Sequence, residues 1–166
     1  MSLTIVLPAF NEAERIDPAL DELFGYLRRR DHRARDGAPG SAELPEAIEV
    51  LVVDDGSTDR TAAIVEGRPE ASTPIDRVTL RVLKVVHGGK GAAVRAGMLD
   101  ATGDMILFAD ADMATPPDQI PLLVTALADH DVALGSRIQA DGSDMRATQP
   151  GYRRLLGADE TGTRQP

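Results

Sequence analysis

Asp110 and Asp112 stand one residue apart, directly after an apolar run that we predict to be a strand over residues 105–109. Two carboxylates placed just past a strand end can share a hard divalent cation. Diphosphate oxygens would fill the remaining coordination positions, so that the ion would neutralise a leaving group. The alternative is a loop of solvated acids, and an Asp-x-Asp pair by itself does not decide between the two.

A second acidic segment, residues 54–59, follows a strand predicted over residues 48–53. A carboxylate at this point can accept hydrogen bonds from a ribose hydroxyl or a base N–H, as the acid after the second strand of dinucleotide-binding folds does. The structural alternative is an Asx turn at Asp54 and a helix cap at Asp59. We expect one aspartate of this segment to be structural and another to bind.

A glycine-rich turn, Gly88–Gly91, lies between a strand predicted over residues 78–86 and a helix. Its glycines permit a close approach of the backbone, and Lys90 can meet a phosphate there; a plain turn is the alternative. Because Gly91 follows Lys90, the phosphate-binding loop of nucleoside triphosphatases is excluded. The first strand is not followed by GxGxxG, which weakens a dinucleotide-binding interpretation.

The segment Pro8–Glu12 closes the first strand, which we predict over residues 3–7. Phe10 can pack on a base, and Glu12 can touch a ribose. Taken alone, however, the segment favours a turn followed by a helix cap at Asn11.

Arg137 follows a fifth strand predicted over residues 131–135. In so acidic a chain, an arginine at this point can hold a diphosphate or a phosphorylated acceptor. The three histidines show no ligand spacing, and we interpret His32, His87 and His130 as ordinary polar residues.

Alternating strand and helix patterns place these groups on one edge of a sheet. Apolar residues recur at helical spacing from Ile16 to Leu27, residues 31–46 are predicted to be a loop, and Thr115 is predicted to cap a later helix. Further helices are predicted over residues 59–66 and 94–101. The order β-α-β-α-β-α-β-α-β predicts an α/β fold with a mostly parallel sheet and helices on both faces. Ligands of such sheets bind beyond the carboxyl ends of the strands, where the candidate groups lie.

The composition restricts the function further. The 166 residues suffice for one domain, and 42% hydrophobic with 27% charged residues is typical of a soluble globular protein. A net charge of −9 argues against nucleic-acid binding, which needs clustered Lys and Arg. The absence of cysteine excludes disulfides and thiolate metal sites. We expect neither a signal peptide nor a membrane span, since no stretch approaches roughly 20 apolar residues.

Five segments, TIVLPAFNE, VLVVDDGSTDRT, GGKGAAVRAGM, GDMILFADADMATPP and ALGSR, occur in an order and at a spacing that resemble the family 2 glycosyltransferases of the GT-A fold. Each segment is weak alone, but the ordered set is specific and covers residues 3–157. Within the family, GKGAAVRAGM, FADADMATP and GSDMRATQPGYRRLLG most resemble the dolichyl- or polyprenyl-phosphate glucosyltransferase branch. The resemblance implies a nucleotide-sugar-binding domain over residues 1–157, truncated on the acceptor side. Residues 158–166 show no periodicity and are predicted to be a loose tail.

The resemblance also implies roles for individual residues. Those expected around the nucleoside are Pro8, Phe10, Glu12, Val53 and Asp55. Asp110 and Asp112 would hold Mg or Mn on the diphosphate, with Asp112 as the catalytic residue and Ala111 lining the same site. Lys90 and Arg137 would lie near the phosphates.

The activity implied is inverting transfer of a hexose, glucose in this branch, from UDP-glucose to a polyprenyl or dolichyl phosphate. A phosphate acceptor is already ionised at neutral pH, so it needs positioning and charge neutralisation more than a general base. The resemblance implies a cytoplasmic protein. Peripheral contact with the cytoplasmic face of a membrane and formation of an oligomer stay open.

Three alternatives stand beside this activity. Family members continue well past Gly157, whereas this chain ends in GADETGTRQP, so a truncated module that binds a nucleotide sugar and a metal without transfer is the first. An enzyme that uses GDP-mannose, like the dolichyl-phosphate mannose synthases, is the second. A response-regulator-like phosphoacceptor is a poor third, because its acids follow the first and third strands rather than the second and fourth.

Overall fold

The computed structural model describes residues 1–35 and 44–135, with side chains described for residues 1–29 and 44–135. The chain divides into two compact units, Met1–His130 and Asp131–Pro166. All helices and strands of the described residues lie in the first unit. The expected boundary at Gly157 and the expected tail lie outside the described residues.

Among the described residues, four parallel strands form one sheet. They are β1 Ser2–Ala9, β2 Ala47–Asp54, β3 Val78–Lys84 and β4 Met105–Phe108. Their order across the sheet is β3-β2-β1-β4, and every neighbouring pair is parallel. The central strands β1 and β2 are near-continuous apolar runs, as expected of parallel strands that are covered on both faces. The four predicted strands of this unit are therefore confirmed, with small shifts at their ends.

In the part of the chain that the structure describes, five α-helices accompany the sheet. They are α1 Ile16–Arg35, α2 Thr61–Glu66, α3 Pro69–Ser72, α4 Lys90–Asp100 and α5 Ile120–Ala126. The structure differs from the helix prediction here: α1 continues past the predicted start of the loop at residue 31, α3 was not predicted, and Thr115 caps no helix. A 3₁₀ helix at Pro117–Gln119 instead precedes α5, and it begins without a side-chain cap. Among the described residues, no helix is both long enough and apolar enough to cross a membrane.

The helices cover both faces of the sheet. The predicted apolar face of α1 is buried, with Ile16, Leu20, Leu23, Phe24 and Leu27 at most 2% exposed. Burial of each such side chain contributes about 1.5–3 kcal/mol to stability. On the opposite face Ala93 of α4 packs with Val6, Leu51 and Val53. The predicted α/β fold with helices on both faces is therefore confirmed.

The strand order reverses beside β1, and this reversal positions the candidate site. The chain passes from β1 to β2 and β3 in one direction and then returns to the other side of β1 for β4. Ligands of open α/β sheets bind in the crevice at such a reversal, beyond the carboxyl ends of the strands. Phe10 follows β1 and Asp110 follows β4, so these residues flank the crevice.

The predicted fifth strand is wrong, because residues 131–135 form no strand. The run Val132-Ala133-Leu134 has the composition of a buried strand, yet Val132 is 71% exposed and Leu134 is 84% exposed. A short apolar run becomes a strand only where a neighbour pairs with its backbone, and the described residues show no such pairing here.

Candidate functional site

The turn after β4 carries two carboxylates on its outer side. Burial alternates along it, since Ala111 is 5% exposed and Met113 is 8% exposed, whereas Asp110 and Asp112 are half-buried. Met113 has a φ of 49°, a left-handed conformation that costs a non-glycine residue about 1–2 kcal/mol. Its side chain packs in the core and holds the turn in place. The amide of Ala114 donates to Oδ1 of Asp112 at 3.1 Å, which orients that carboxylate.

Lys90 forms an ion pair with Asp110 across the rim, the edge of the sheet made by the turns that follow the carboxyl ends of its strands. The Nζ of Lys90 donates to Oδ1 of Asp110. Lys90 is the first residue of α4, so its charge adds to the positive end of the helix dipole. A Cβ atom placed on Gly89 or Gly91 would meet no atom within 4 Å, so open space borders the start of the helix. A phosphate can therefore approach this backbone closely.

Asp55 holds the glycine-rich turn in place. The residue is 2% exposed, and its two oxygens accept the amides of Gly88 and Gly89, each at 2.8 Å. These charge-assisted bonds tie the end of β2 to the start of α4. Gly89 has a φ of 85°, which glycine adopts without a steric cost. The carboxylate expected at the nucleoside thus shapes the turn beside Lys90, and its nucleoside contact stays a prediction.

His87 lies within the site, although the sequence suggested only an ordinary polar residue. Its Nδ1 lies 2.9 Å from Oδ2 of Asp55 and 3.0 Å from the backbone oxygen of Asp55. Since both atoms are acceptors, Nδ1 carries a proton and donates it. The ring stacks on Phe10 with centroids 4.3 Å apart and planes 26° apart. The signal that would have revealed His87 was its position at the strand end, directly before Gly88.

Hydrogen bonds join the turn after β1 to the turn after β2. The amide of Asn11 donates to Oγ of Ser57 at 2.9 Å, and Oδ1 of Asn11 accepts the amide of Thr58 at 2.9 Å. The amide of Glu12 donates to Oγ1 of Thr61 at 2.8 Å. Asn11 therefore links two turns rather than capping α1 as predicted.

Asp59 completes this network. Its Oδ1 accepts the hydroxyl of Thr61 at 2.5 Å and the amide of Thr61 at 2.9 Å, and its Oδ2 accepts the amide of Ala13 at 3.1 Å. The side-chain hydrogen bond from Thr61 is the main reason why the pKa of Asp59 lies below its ordinary value. The expectation that one aspartate of residues 54–59 is structural is therefore confirmed.

Asp54 and Val53 lie beneath the rim. Asp54 is the last residue of β2 and is 5% exposed, and its Oδ1 has no hydrogen-bond partner among the described residues. Oδ1 of Asp54 therefore forms no Asx turn, which was the structural alternative for this residue. Val53 is fully buried against α4, so the rim does not present its side chain. Its expected contact with a nucleoside stays a prediction.

The remaining expected residues occupy several environments. Glu12 is paired with Arg15, whose Nε lies 2.7 Å from Oε2 of Glu12. Pro8 is half-buried in β1, Ala111 packs in the core, and Arg137 lies outside the described residues. The predicted residues that the structure places at the rim are Phe10, Glu12, Asp55, Lys90, Asp110 and Asp112.

The two carboxylates after β4 have the donor chemistry of a shared cation site. Carboxylate oxygens suit Mg²⁺ and Mn²⁺. Within residues 1–29 and 44–135, no group of three or more His, Asp or Glu side chains gathers closely enough to hold a metal. A cation on Asp110 and Asp112 would need further oxygens from a bound molecule or from water, and a diphosphate supplies such oxygens.

The sequence of this chain is similar to those of known proteins. Residues 4–163 match the family described as glycosyl transferase family 2. A dolichyl-phosphate beta-glucosyltransferase of Trichomonas vaginalis is 37% identical over 93% of this chain and 43% of its own length. The dolichyl-phosphate beta-glucosyltransferase of Drosophila melanogaster is 36% identical over 94% of this chain and 46% of its own length. The chain thus spans less than half the length of these curated relatives.

A solved structure is also similar. The mannosyltransferase PcManGT from Pyrobaculum calidifontis, in complex with GDP-Man and Mn²⁺, is 30% identical and has a TM-score of 0.55. The match covers 76% of this chain and 32% of that protein.

Proposed function

The chain belongs to glycosyl transferase family 2 and has a GT-A fold, and we propose that it transfers glucose from UDP-glucose to a polyprenyl or dolichyl phosphate. The observation that carries the proposal is the ion pair of Lys90 with Asp110, two residues before Asp112, beside an open glycine-rich turn at the reversal of strand order. The identities of 37% and 36% to dolichyl-phosphate glucosyltransferases support this choice of sugar and acceptor.

The rim offers local positive charge to an anionic donor. The chain as a whole carries a net charge of −9, so a diphosphate must find attraction at a particular point. Lys90 supplies a full charge, and the first amides of α4 lack acceptors within the helix. Phe10 is 42% exposed and provides an apolar surface on which a nucleobase packs.

Asp110 and Asp112 would hold Mg²⁺ or Mn²⁺ together with the donor. When bound, such a cation neutralises the charge that develops on the diphosphate leaving group. The Mn²⁺ in the PcManGT complex supports this class of cofactor. Asp112 is the proposed catalytic residue, and the hydrogen bond from the amide of Ala114 orients its carboxylate.

The proposed reaction is a single displacement with inversion at the anomeric carbon. An oxygen of the acceptor phosphate bonds to that carbon while its bond to the diphosphate oxygen breaks, and the nucleoside diphosphate leaves with the electron pair. The acceptor phosphate is already ionised, so no side chain has to remove a proton. The work of the protein is alignment and charge neutralisation, for which Asp55 holds the Gly88–Gly89 turn and Lys90 supplies positive charge.

Transfer of mannose from GDP-mannose is a second candidate. The observation that favours it is the 30% identity to PcManGT, whose structure contains GDP-Man. The two candidates differ in both base and sugar, so a titration with the four corresponding ligands separates them.

The proposed acceptor also suggests where the protein works. Its polyprenyl chain partitions into a bilayer, whereas a nucleotide sugar is dissolved in water. We therefore propose a cytoplasmic protein with peripheral contact at the membrane surface. Flotation with liposomes that contain dolichyl phosphate tests this, and recovery only in the soluble fraction would argue against membrane contact.

Calorimetric titration with UDP, UDP-glucose, GDP and GDP-mannose, each with and without Mn²⁺, tests donor binding. We expect UDP ligands to bind only with Mn²⁺ and the double variant Asp110→Ala, Asp112→Ala to lose this binding. The double variant Glu22→Ala, Asp129→Ala removes the same charge from exposed positions outside the rim and should bind as the unchanged protein does. Preference for GDP ligands would favour the second candidate.

A transfer assay then tests turnover. Labelled UDP-glucose is incubated with dolichyl phosphate and Mn²⁺, and the lipid fraction is counted. Appearance of label in the lipid, and its loss in the Asp110, Asp112 double variant, is the expected result. Donor binding without transfer would instead favour a binding module.

A further inference from the structure

His87 is the point at which three segments of the rim meet. It stacks on Phe10 from the turn after β1, and it donates to Asp55 at the end of β2. A Cβ on Gly56 would lie 3.0 Å from the backbone nitrogen of His87, so Gly56, with a φ of 70°, admits this close approach. Among the described side chains of the site, only His87 contacts both Phe10, the ring expected beside the nucleoside, and Asp55, the carboxylate that holds the glycine-rich turn.

We propose that His87 is a positioning residue of the nucleotide site, where it joins the base-packing ring of Phe10 to the phosphate-facing turn through Asp55. The proposal rests on the proposed function in one respect, namely that the ligand carries both a nucleobase and a diphosphate. The stacking of His87 on Phe10 and its hydrogen bond to Asp55 have different physical bases, and a substitution can remove either contact separately.

The ring of His87 supports the base side. Phe10 is 42% exposed and the His87 side chain is 57% exposed, so the stacked pair is covered only in part. A nucleobase that packs on the exposed side of this pair extends a stack that already exists in the free protein. Because Phe10 is held before the ligand arrives, less freedom is lost on binding.

The Nδ1–H group of His87 supports the phosphate side. It donates to the carboxylate whose oxygens accept the amides of Gly88 and Gly89. Because His87 donates to Asp55, it fixes the direction of the Asp55 carboxylate and therefore the path of the glycine-rich turn. The turn leads directly into Lys90 and into the open space at the start of α4.

Two variants separate the halves. His87→Asn places an amide N–H near the position of Nδ1 but removes the ring, whereas His87→Phe keeps a stacking ring but removes the donor. The probes are UDP, GDP and inorganic pyrophosphate, each titrated with Mn²⁺. Amide hydrogen exchange of Gly88 and Gly89 and the ring-proton shifts of Phe10, measured by NMR on the ligand-free 166-residue chain, complete the design.

His87→Asn should weaken nucleotide binding by about threefold to tenfold, the range of a lost aromatic pair, and leave pyrophosphate binding and amide exchange unchanged. His87→Phe should weaken nucleotides and pyrophosphate by the same factor and speed exchange at Gly88 and Gly89 by about tenfold. The ring protons of Phe10 should lose the upfield ring-current shift of the stack in His87→Asn and keep an upfield shift in His87→Phe. A merely structural role would give both variants one pattern.

The proposal is overturned if the two variants change all these measurements in parallel, or if neither variant changes any of them. Failure of the proposed function looks different, because the unchanged protein would then bind none of the three probes with Mn²⁺. In that case the exchange rates and the Phe10 shifts of the ligand-free variants still decide whether His87 holds both partners.

Discussion

Lys90 and Asp110 form an ion pair that joins the first residue of α4 to the turn after β4. The Lys90 side chain is 62% exposed and that of Asp110 is 36% exposed, so water screens the pair and its net strength is modest. A divalent cation on Asp110 would compete with the ammonium group for this carboxylate. We therefore expect Lys90 to leave Asp110 when cation and diphosphate bind together, which would make Lys90 available to the phosphates.

Lys90→Met should strengthen binding of Mn²⁺ alone by about twofold to fivefold, because a competing charge of modest strength is removed. The same variant should weaken binding of UDP with Mn²⁺, since a positive charge beside the diphosphate is lost. Electron paramagnetic resonance of free Mn²⁺ measures the first quantity, and calorimetry measures the second.

Lys84→Met is the matched control, because it removes another exposed lysine, whose Nζ lies 2.6 Å from Oε1 of Glu66. It should leave Mn²⁺ binding unaltered. If Lys90→Met weakened Mn²⁺ and UDP equally, Lys90 would not compete for Asp110, and the exchange of partners would be refuted.

Gly97→Ala should destabilise the protein by about 1–3 kcal/mol, the cost of overpacking a filled core. Helix α4 approaches the sheet through Gly97, where a Cβ would lie 2.4 Å from Cγ1 of Val6 and 2.7 Å from Cγ2 of Val53. Chemical denaturation measures the change in the free energy of unfolding. Gly91→Ala, in the same helix with open space around its Cβ, should stabilise by about 0.5–1 kcal/mol. Equal effects of the two variants would contradict the close packing of α4.

The pattern of apolar residues along the chain predicted the elements whose burial depends mainly on their own sequence. The apolar runs of β1 and β2 and the spaced apolar residues from Ile16 to Leu27 specify burial by themselves, and the acids after two strands marked the rim. Residues 131–135 show the limit, because their composition suits a strand but strand formation depends on a pairing partner elsewhere in the chain. The short helix at Pro69–Ser72 has too few residues for a periodic pattern.

Contacts between distant segments could not be predicted from spacing. His87 and Phe10 stack although many residues separate them, and no residue type near His87 announces that contact. The same holds for the amides of Gly88 and Gly89, which donate to Asp55 because the register of β2 and β3 brings the ends of these strands together. The sequence therefore indicated which elements meet at the rim, while the structure shows which side chains are already paired there.

Arg68→Ala should lower the free energy of unfolding by about 2–4 kcal/mol, as expected when one partner of a buried ion pair is removed. Arg68 is 9% exposed, and its Nε lies 3.2 Å from Oε2 of Glu70, which is 3% exposed. Its Nη2 also lies 2.8 Å from Oδ1 of Asp21 in α1, so the arginine ties α1 to the start of α3. Denaturation with urea measures the loss.

Arg77→Ala is the control for Arg68. Its ion pair with Glu46 is exposed, with side chains 69% and 81% accessible, and such pairs contribute about 0–1 kcal/mol. A loss for Arg77→Ala as large as that for Arg68→Ala would show that burial does not set the strength of these ion pairs.

The free energy of unfolding should fall as the solution becomes acidic, because three carboxyl groups have pKa values below their ordinary ones. A backbone hydrogen bond from Ser2 is the main cause at Asp104, and a side-chain hydrogen bond from Thr61 is the main cause at Asp59. At Glu49 burial raises the pKa, but hydrogen bonds from Thr4 and Arg81 outweigh it and lower the pKa.

A lowered folded pKa means that the unfolded chain binds protons first, so the stabilisation is complete above the ordinary values of 3.8 for Asp and 4.5 for Glu and is lost as the pH falls through the folded values. Denaturation curves recorded from neutral pH downward should therefore show a decline that begins below about pH 5. Asp104→Asn should make this decline shallower. Asp76→Asn, at an exposed position whose carboxylate has no partner among the described residues, should leave it unchanged. A decline of the same steepness in Asp104→Asn would mean that the hydrogen bonds of Asp104 to Ser2 do not persist in solution.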